Sequence, residues 1–310
     1  MKYNMKILTS PSSFGQIGNE PIHLLKENGY DQISNPFSRK LTEAETIILA
    51  KDCIGVIAGV ERYNSIVLKK LPKLKCISRV GVGLDSIDLE YAASKGIIVV
   101  NTPDGPTRSV AELTVGMTLS ILRRIPQADS QMKDGHWEKQ TGNLLFGKTI
   151  GIIGLGRIGR MVSEMFHALG NKVIGYDLLP NKQWAEENDV SITDLNSLLN
   201  KSDIVTVHIP GSTDSEPIIG SVELNMLKRG AFFINISRGN VVDEKPLIKL
   251  LDSGHLAGAA IDVFSQEPYV GPLCQLDNVV LTPHIGSYAA EGKLQMEIDA
   301  VNNLITVLKS

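Results

Sequence analysis

An α/β architecture with two doubly wound parallel sheets is predicted from three observations. Short apolar runs alternate with helical patterns along all 310 residues, and such alternation implies parallel strands joined by right-handed crossovers. A glycine turn, Gly154-Leu-Gly-Arg-Ile-Gly159, links one apolar run to a helix, and a second apolar run follows that ends on Asp177. Ahead of it, residues 1–101 hold enough strands for a sheet of their own, closed by the turn formers Asn101-Thr-Pro-Asp-Gly-Pro106, a candidate hinge.

Taken in order, residues 5–10 read as a strand and 20–28 as a helix stopped at Gly29. A helix over 42–50 precedes a short buried strand at 54–59, and a helix over 66–71 is stopped by Pro72. The strand at 75–80 runs into Gly81-Val-Gly83, a helix over 89–94 is capped by Gly96, and 97–100 is the next strand. The spacing predicts a long helix over 109–124, with Ser109 as N-cap and Glu112 completing a capping box. Its residues Ala111, Leu113, Val115, Met117, Leu119 and Leu122 predict burial on more than one side. Beyond it come strands at 149–153, 172–176, 203–209, 231–236, 257–262 and 279–282. Helices at 194–200, 224–228 and 245–253 separate the later ones, and a last helix over 289–308 ends the chain.

Composition excludes several classes. At 43% hydrophobic the chain can bury a large core. A net charge of −3 with dispersed Lys and Arg argues against a nucleic-acid or anionic-membrane partner. Cys53, Cys76 and Cys274 lack disulfide or zinc spacing and read as buried small apolar residues, and no metal site is indicated. Residues 1–10 lack a signal-peptide apolar core, and no run reaches membrane-spanning length, so the expectation is a soluble, cytoplasmic protein.

The stretch from Thr149 to Asp177 has the strand–turn–helix–strand–acid order of a dinucleotide fingerprint. Gly154 permits the tight turn, Gly156 lets a pyrophosphate approach the backbone, and Gly159 lets helix and sheet pack closely. The free N–H groups at the helix start favour phosphate charge, and Asp177 can accept the ribose hydroxyls. Leu178 stands where a 2′-phosphate binder would offer a cation, which favours NAD over NADP.

Ligands in such sheets collect beyond the carboxyl ends of the strands. Arg238, Glu267 and His284 each stand just past such an end. Singly, Arg238 could cap a turn or pair with Asp243, and Glu267 could be a solvated loop acid. Together the three suit hydride transfer between NAD and a 2-hydroxy acid. A histidine exchanges the hydroxyl proton, a carboxylate orients its ring, and a guanidinium holds the substrate carboxylate. His23, His136, His167 and His255 read as surface or packing residues, and His208 stands near a strand end beside the fingerprint.

On Gly154-Leu-Gly-Arg-Ile-Gly159, Asn235-Ile-Ser-Arg-Gly239, Asp262-Val-Phe, Glu267-Pro268 and Pro283-His-Ile-Gly286, the chain resembles the D-2-hydroxyacid dehydrogenases over nearly its whole length. Within that family it is most similar to the D-3-phosphoglycerate dehydrogenase-like branch, in a short form lacking regulatory C-terminal domains. The resemblance implies a Rossmann NAD-binding domain (102–286) inserted into a flavodoxin-like substrate-binding domain made of 1–101 and 287–310. It implies His284 as acid/base, Glu267 as its partner and Arg238 as the substrate contact. Gly154, Gly156, Arg157, Ile158, Gly159 and Asp177 would bind NAD, with Ile209, Ser237, Asp262 and Gly286 beside it. The loop Arg79-Val80-Gly81-Val82-Gly83 would offer backbone N–H groups to the substrate carboxylate, and the 109–124 helix would lie in a homodimer interface.

The family's phosphoglycerate-specific members often carry an arginine where this chain has Ala58; Arg62 follows nearby, and Arg79 and Arg123 match other basic positions. A second reading, an NAD-sensing binding protein of the corepressor kind, uses the same scaffold.

Overall fold

The computed structural model describes residues 5–211 and 216–310, and the chain divides into two units, Met1–Ser109 with Ser287–Ser310, and Val110–Gly286. The first unit is built on β1 (Met5–Thr9), β2 (Tyr30–Ser34), β3 (Gly55–Ala58), β4 (Cys76–Arg79) and β5 (Ile98–Asn101). These pair in parallel in the order β2-β1-β3-β4-β5, a doubly wound order whose switch point lies between β1 and β3. Successive strand residues alternate between the faces. Leu8, Val56, Ala58 and Ile77 pack on one side with α2 (Glu43–Ala50), α3 (Ser65–Leu68) and α4 (Leu89–Ser94). Ile7, Ile57 and Cys76 pack on the other with α1 (Glu20–Glu27) and Ala300, Val301 and Leu304 of the C-terminal helix, residues 290–309. Helices on both faces explain why β3 is apolar at every position rather than alternating.

The second unit begins in α5 (Thr107–Arg123) and α6 (Ile125–Lys133). Its strands are β6 (Thr149–Ile153), β7 (Lys172–Tyr176), β8 (Ser191–Ile192), β9 (Ile204–Val207), β10 (Phe232–Asn235), β11 (Gly258–Ile261) and β12 (Val279–Leu281). They form one parallel sheet in the order β12-β11-β10-β9-β6-β7-β8. Read from β6, that is the 3-2-1-4-5-6 dinucleotide-binding order with β12 added at the far edge. Between them run α7 (Arg157–Ala168), α8 (Lys182–Glu187), α9 (Leu195–Lys201), α10 (Ser221–Asn225) and α11 (Glu244–Asp252). Ile150, Ile152, Ile204, Phe232 and Ile234 pack with Val162 and Phe166 of α7 and Met117, Ile121 and Leu122 of α5. Ile153, Val205, Val207, Phe233 and Ile261 pack on the opposite face with Leu198, Leu224, Leu247 and Leu250. The chain ends in α12 (Ala290–Lys309), already met in the first unit.

Several expectations are corrected. Helix α5 starts at Thr107, so Ser109 lies inside it and does not cap it. Only one side of α5 is buried: Ala111, Met117 and Leu122 face the core, whereas Leu119 is exposed. The capping box forms instead on α2, where Thr42 Oγ accepts from Glu45 N–H and Glu45 accepts from Thr42 N–H. Helix α10 lies at Ser221–Asn225, ahead of the predicted 224–228. Cys274 is exposed, in the short 3-10 turn Pro272–Gln275. Cys53 and Cys76 are buried as expected, with thiols pushed up to about 11 and about 12 by burial.

Candidate active site

Gly154 follows β6 with φ 95°, and an added Cβ would stand 2.5 Å from His208 O. Ile209 packs against the same point, its Cγ2 being 2.7 Å from that added Cβ. Gly159 is held by a closer contact, because a Cβ there would lie 1.9 Å from the Gly154 carbonyl oxygen. Gly156 differs. It caps α7, and a Cβ on it would meet nothing within 4 Å. Packing therefore explains the outer two glycines, while the middle one keeps open space over the helix N-terminus, where phosphate charge is favoured. Arg157 is exposed at the start of α7, and Ile158 packs partly into the core. Asp177 follows β7 and accepts from Leu155 N–H at 2.7 Å and Leu179 N–H at 2.9 Å. Those bonds fix its carboxylate beside the turn, and a carboxylate's remaining lone pairs can accept ribose hydroxyls. Leu178 beside it is 83% exposed. The residues fit a dinucleotide without a 2′-phosphate.

The second part of the site stands at the ends of β10, β11 and β12, three neighbouring strands of the same sheet. His284 Nδ1 lies 2.9 Å from Glu267 Oε2 and 3.1 Å from Oε1, and both side chains are partly exposed, 46% and 39%. Glu267 also accepts from Phe264 N–H at 3.2 Å. His284 has φ 54°, left-handed backbone that costs a non-glycine residue about 1–2 kcal/mol. The turn is held by Asp262. His284 N–H donates to the Asp262 carbonyl oxygen at 2.8 Å. The Asp262 carboxylate accepts from Thr282 Oγ1 at 2.6 Å, Ile285 N–H at 2.8 Å and Gly286 N–H at 2.9 Å.

Asp262 is fully buried, and its carboxylate supports the turn that carries His284. Burial pushes its pKa up, against the pull of those three donors. Gly286 is likewise enclosed, with Asp262, Ile236 and Val110 around it.

Arg238 follows β10, and its Nη1 donates to Ser237 O at 2.8 Å. Asn235, to which sequence reasoning assigned no role, shapes this loop. It accepts from Ser237 N–H at 3.1 Å and Ser237 Oγ at 2.8 Å, and donates to Arg238 O at 3.1 Å. Ser237 is buried and its hydroxyl is occupied by Asn235. A Cβ on Gly239 would stand 1.8 Å from Phe264 O, so the Arg238 loop packs directly on the loop that leads to Glu267. An asparagine at a strand end before Ser-Arg-Gly is an Asx-turn signal. Thr282, at the end of β12, is the other supporting residue missed.

Beside the pair, a cavity of about 520 Å³ is lined by Phe264, Glu267, Tyr269, Leu281 and His284 among others, a volume suited to a small ligand. The Phe264 and Tyr269 rings stack at 4.4 Å. His208 follows β9, and its Nε2 lies 2.9 Å from Thr206 Oγ1. Part of the residue stays open, yet protein surrounds the ring closely enough that burial pushes its pKa down to about 3. His255 binds the Leu227 carbonyl oxygen and is structural.

In the first unit, the loop after β4 departs from expectation. Val80 N–H donates to Ala58 O at 3.0 Å and Gly81 N–H to Thr102 Oγ1 at 2.8 Å. Both donors thus shape the loop and do not face a ligand. Thr102, another residue missed, returns its own N–H to Gly81 O. The Arg79 guanidinium folds back on the Val80 carbonyl oxygen and over Gly81. Val82 is exposed and Gly83 partly so.

Among the described residues, no group of three or more His, Cys, Asp or Glu could hold a metal ion. Among them too, no helix is long and apolar enough to cross a membrane.

A glycine turn and an acid at the next strand end, on one parallel sheet with a histidine–carboxylate pair, define a dinucleotide-binding protein. Residues 115–286 match the model of the D-isomer-specific 2-hydroxyacid dehydrogenase NAD-binding domain. The chain is 40% identical over 279 residues to D-3-phosphoglycerate dehydrogenase of Methanocaldococcus jannaschii, covering 88% of this chain and 52% of that one. It is 42% identical over 260 residues to glyoxylate reductase of Thermofilum pendens, covering 80% and 76%. A crystal structure of a Thermus thermophilus protein superposes with a TM-score of 0.89 at 32% identity, covering 98% of this chain and 97% of that one. The chain belongs to the D-isomer-specific 2-hydroxyacid dehydrogenase family. It spans only about half the length of the phosphoglycerate dehydrogenase of Methanocaldococcus jannaschii.

Proposed function

We propose that this protein is an NAD-dependent dehydrogenase that interconverts a D-2-hydroxy acid and its 2-oxo acid. The observation that carries the reading is the His284–Glu267 pair, at 2.9 Å, on the same sheet as the glycine turn. Gly154, Gly156, Arg157, Ile158, Gly159 and Asp177 would hold NAD, with Ile209 and the backbones of Ser237 and Gly286 beside it. Bound NAD supplies the hydride acceptor, or as NADH the donor, at C2 of the substrate.

Glu267 fixes the His284 ring through Nδ1, which leaves Nε2 for the substrate oxygen. In reduction, the imidazolium gives its Nε2 proton to the carbonyl oxygen as C2 gains the hydride, and the carbonyl π pair becomes the new O–H bond. In oxidation, neutral His284 takes that proton back. Arg238 holds the substrate carboxylate and polarises the carbonyl through paired donors. In the substrate loop, Arg79, Val80 and Gly81 set the shape, and the N–H groups of Val82 and Gly83 meet the acid.

A homodimer is part of the reading. Trp137, Leu144 and Phe146 are 79%, 73% and 75% exposed, large apolar side chains of the sort a second copy covers. Light scattering should give twice the monomer mass; a monomer would overturn this part. The sensor alternative is not favoured, because the relatives are named dehydrogenases and reductases. The test is NADH oxidation across a panel of 2-oxo acids. Turnover of at least one is expected, and silence across the panel would refute the proposal.

A further inference from the structure

The glycine turn is gripped at Leu155 from two sides, and one of the two grips has no part in the chemistry above. Leu155 N–H donates to Asp177 Oδ2 at 2.7 Å. Its carbonyl oxygen accepts from Arg160 Nε at 2.9 Å. Its side chain, 3% exposed, is seated on β7, where an added Cβ at Gly175 would stand 2.8 Å from Leu155 Cδ1. Arg160 lies in the first turn of α7, and its guanidinium stands over the Trp184 ring of α8, 5.1 Å from the centroid, which is within cation–π range.

These contacts close a ring. From Asp177 the chain runs through Leu178-Leu-Pro-Asn181 into α8. At the start of this segment Asp177 Oδ1 accepts from Leu179 N–H at 2.9 Å. At its end Asn181 caps α8, its Oδ1 accepting from Trp184 N–H at 3.0 Å. The segment is therefore tied to the glycine turn twice, once at Asp177 and again through Trp184 and Arg160. Every residue of the ring belongs to the second unit. A carboxylate reads a ribose hydroxyl only while it is held within a few tenths of an ångström of hydrogen-bond distance. The same fixed charge repels a phosphate placed on that hydroxyl.

Resting on the NAD-binding reading, we infer that Arg160 and Trp184 form a latch that sets cofactor selectivity, by holding the Asp177 carboxylate where it accepts the adenosine 2′-hydroxyl of NAD and repels the 2′-phosphate of NADP. Both act through Leu155 and Asp177 rather than on the cofactor, so they are positioning residues.

Arg160→Met keeps a helix-forming apolar stem against Trp184 and removes the Nε donor. Fluorescence titration with NADH and with NADPH reads binding without turnover. The wild-type protein should bind NADH at least roughly tenfold more tightly than NADPH. Arg160→Met should weaken NADH by roughly tenfold, the scale of one hydrogen bond from a charged donor, and NADPH by less, so that the ratio of the two falls. At saturating NADH its kcat should stay near the wild-type value. Trp184→Leu should move the ratio the same way by roughly twofold to fivefold, and the double variant should be little worse than Arg160→Met alone. A purely structural role would lower the melting temperature and leave the ratio fixed. An unchanged ratio in Arg160→Met, or wild-type binding of NADPH as tight as that of NADH, overturns this inference. NADH binding with no turnover of any 2-oxo acid refutes the dehydrogenase reading alone, and no binding of either cofactor overturns both.

Discussion

His284 and Glu267 meet through Nδ1 and Oε2 at 2.9 Å, although they lie on loops after different strands. The contact selects which ring nitrogen faces chemistry, since a carboxylate on Nδ1 leaves Nε2 for proton exchange. His284→Ala should lower kcat by roughly 10²–10⁴-fold, the usual worth of a positioned acid/base. NADH affinity, followed by fluorescence titration, should stay near the wild-type value. An unaltered kcat would remove His284 from the reaction.

Glu267→Gln retains a hydrogen-bond acceptor and loses the counter-charge. The expected loss in kcat is smaller than for His284→Ala, roughly 10–10³-fold, and Glu267→Asp should fall between wild type and Gln. Steady-state rates at saturating NADH give the comparison. A Gln variant as fast as wild type would show that the charge is not used.

Replacing Asp262 by Ala leaves Thr282 Oγ1 and the N–H groups of Ile285 and Gly286 without their shared acceptor. Destabilisation on the order of 3 kcal/mol is expected, together with a fall in kcat as the His284 turn relaxes. Asp262→Asn keeps one acceptor oxygen and should lose less of both. Denaturant unfolding alongside kinetics checks this; an Ala variant with normal stability would contradict the supporting role.

The two glycines of the turn should separate binding from folding. Gly156→Ala has room for its Cβ, so the melting temperature should hold while NADH binding weakens by roughly tenfold or more, the added methyl standing where the pyrophosphate approaches. Gly159→Ala must instead displace the Gly154 carbonyl, with an expected cost of about 1–3 kcal/mol in stability. Equal effects of the two changes on melting would refute the distinction.

His208 gives a pH signature. Its pKa is pushed from 6.5 to about 3 by burial, so the folded chain resists a proton that the unfolded chain accepts. Its contribution to stability is complete above about 6.5 and declines as pH falls from there toward about 3. His208→Gln should gain melting temperature relative to wild type between pH 6.5 and pH 4. A constant difference across that range would show that the ring does not titrate in this way.

Much of this is legible in the chain. The strands β6 and β7 and the helix α4 fall where their apolar spacing and glycine stops put them. Strand β2, Tyr30-Asp-Gln-Ile-Ser34, escapes a sequence reading because an edge strand half open to water needs little apolar character. Helix α6 buries none of its residues and starts after Arg124 in a left-handed conformation, so it carries no apolar stripe to read. The His284–Glu267 pair is legible because its residues stand past strand ends. Asp262 stands at a similar place, but its support of the His284 turn is not legible, because its donors Thr282 and Ile285 are brought in by β12.

The left-handed backbone at His284 sets stability against reactivity. Glycine at that position would relax the turn, and the melting temperature would rise while the acid/base group is lost. A thermal screen run without an activity readout would thus enrich inactive variants here. Heat tolerance gained elsewhere in the chain, away from the 282–286 turn, would carry no such conflict.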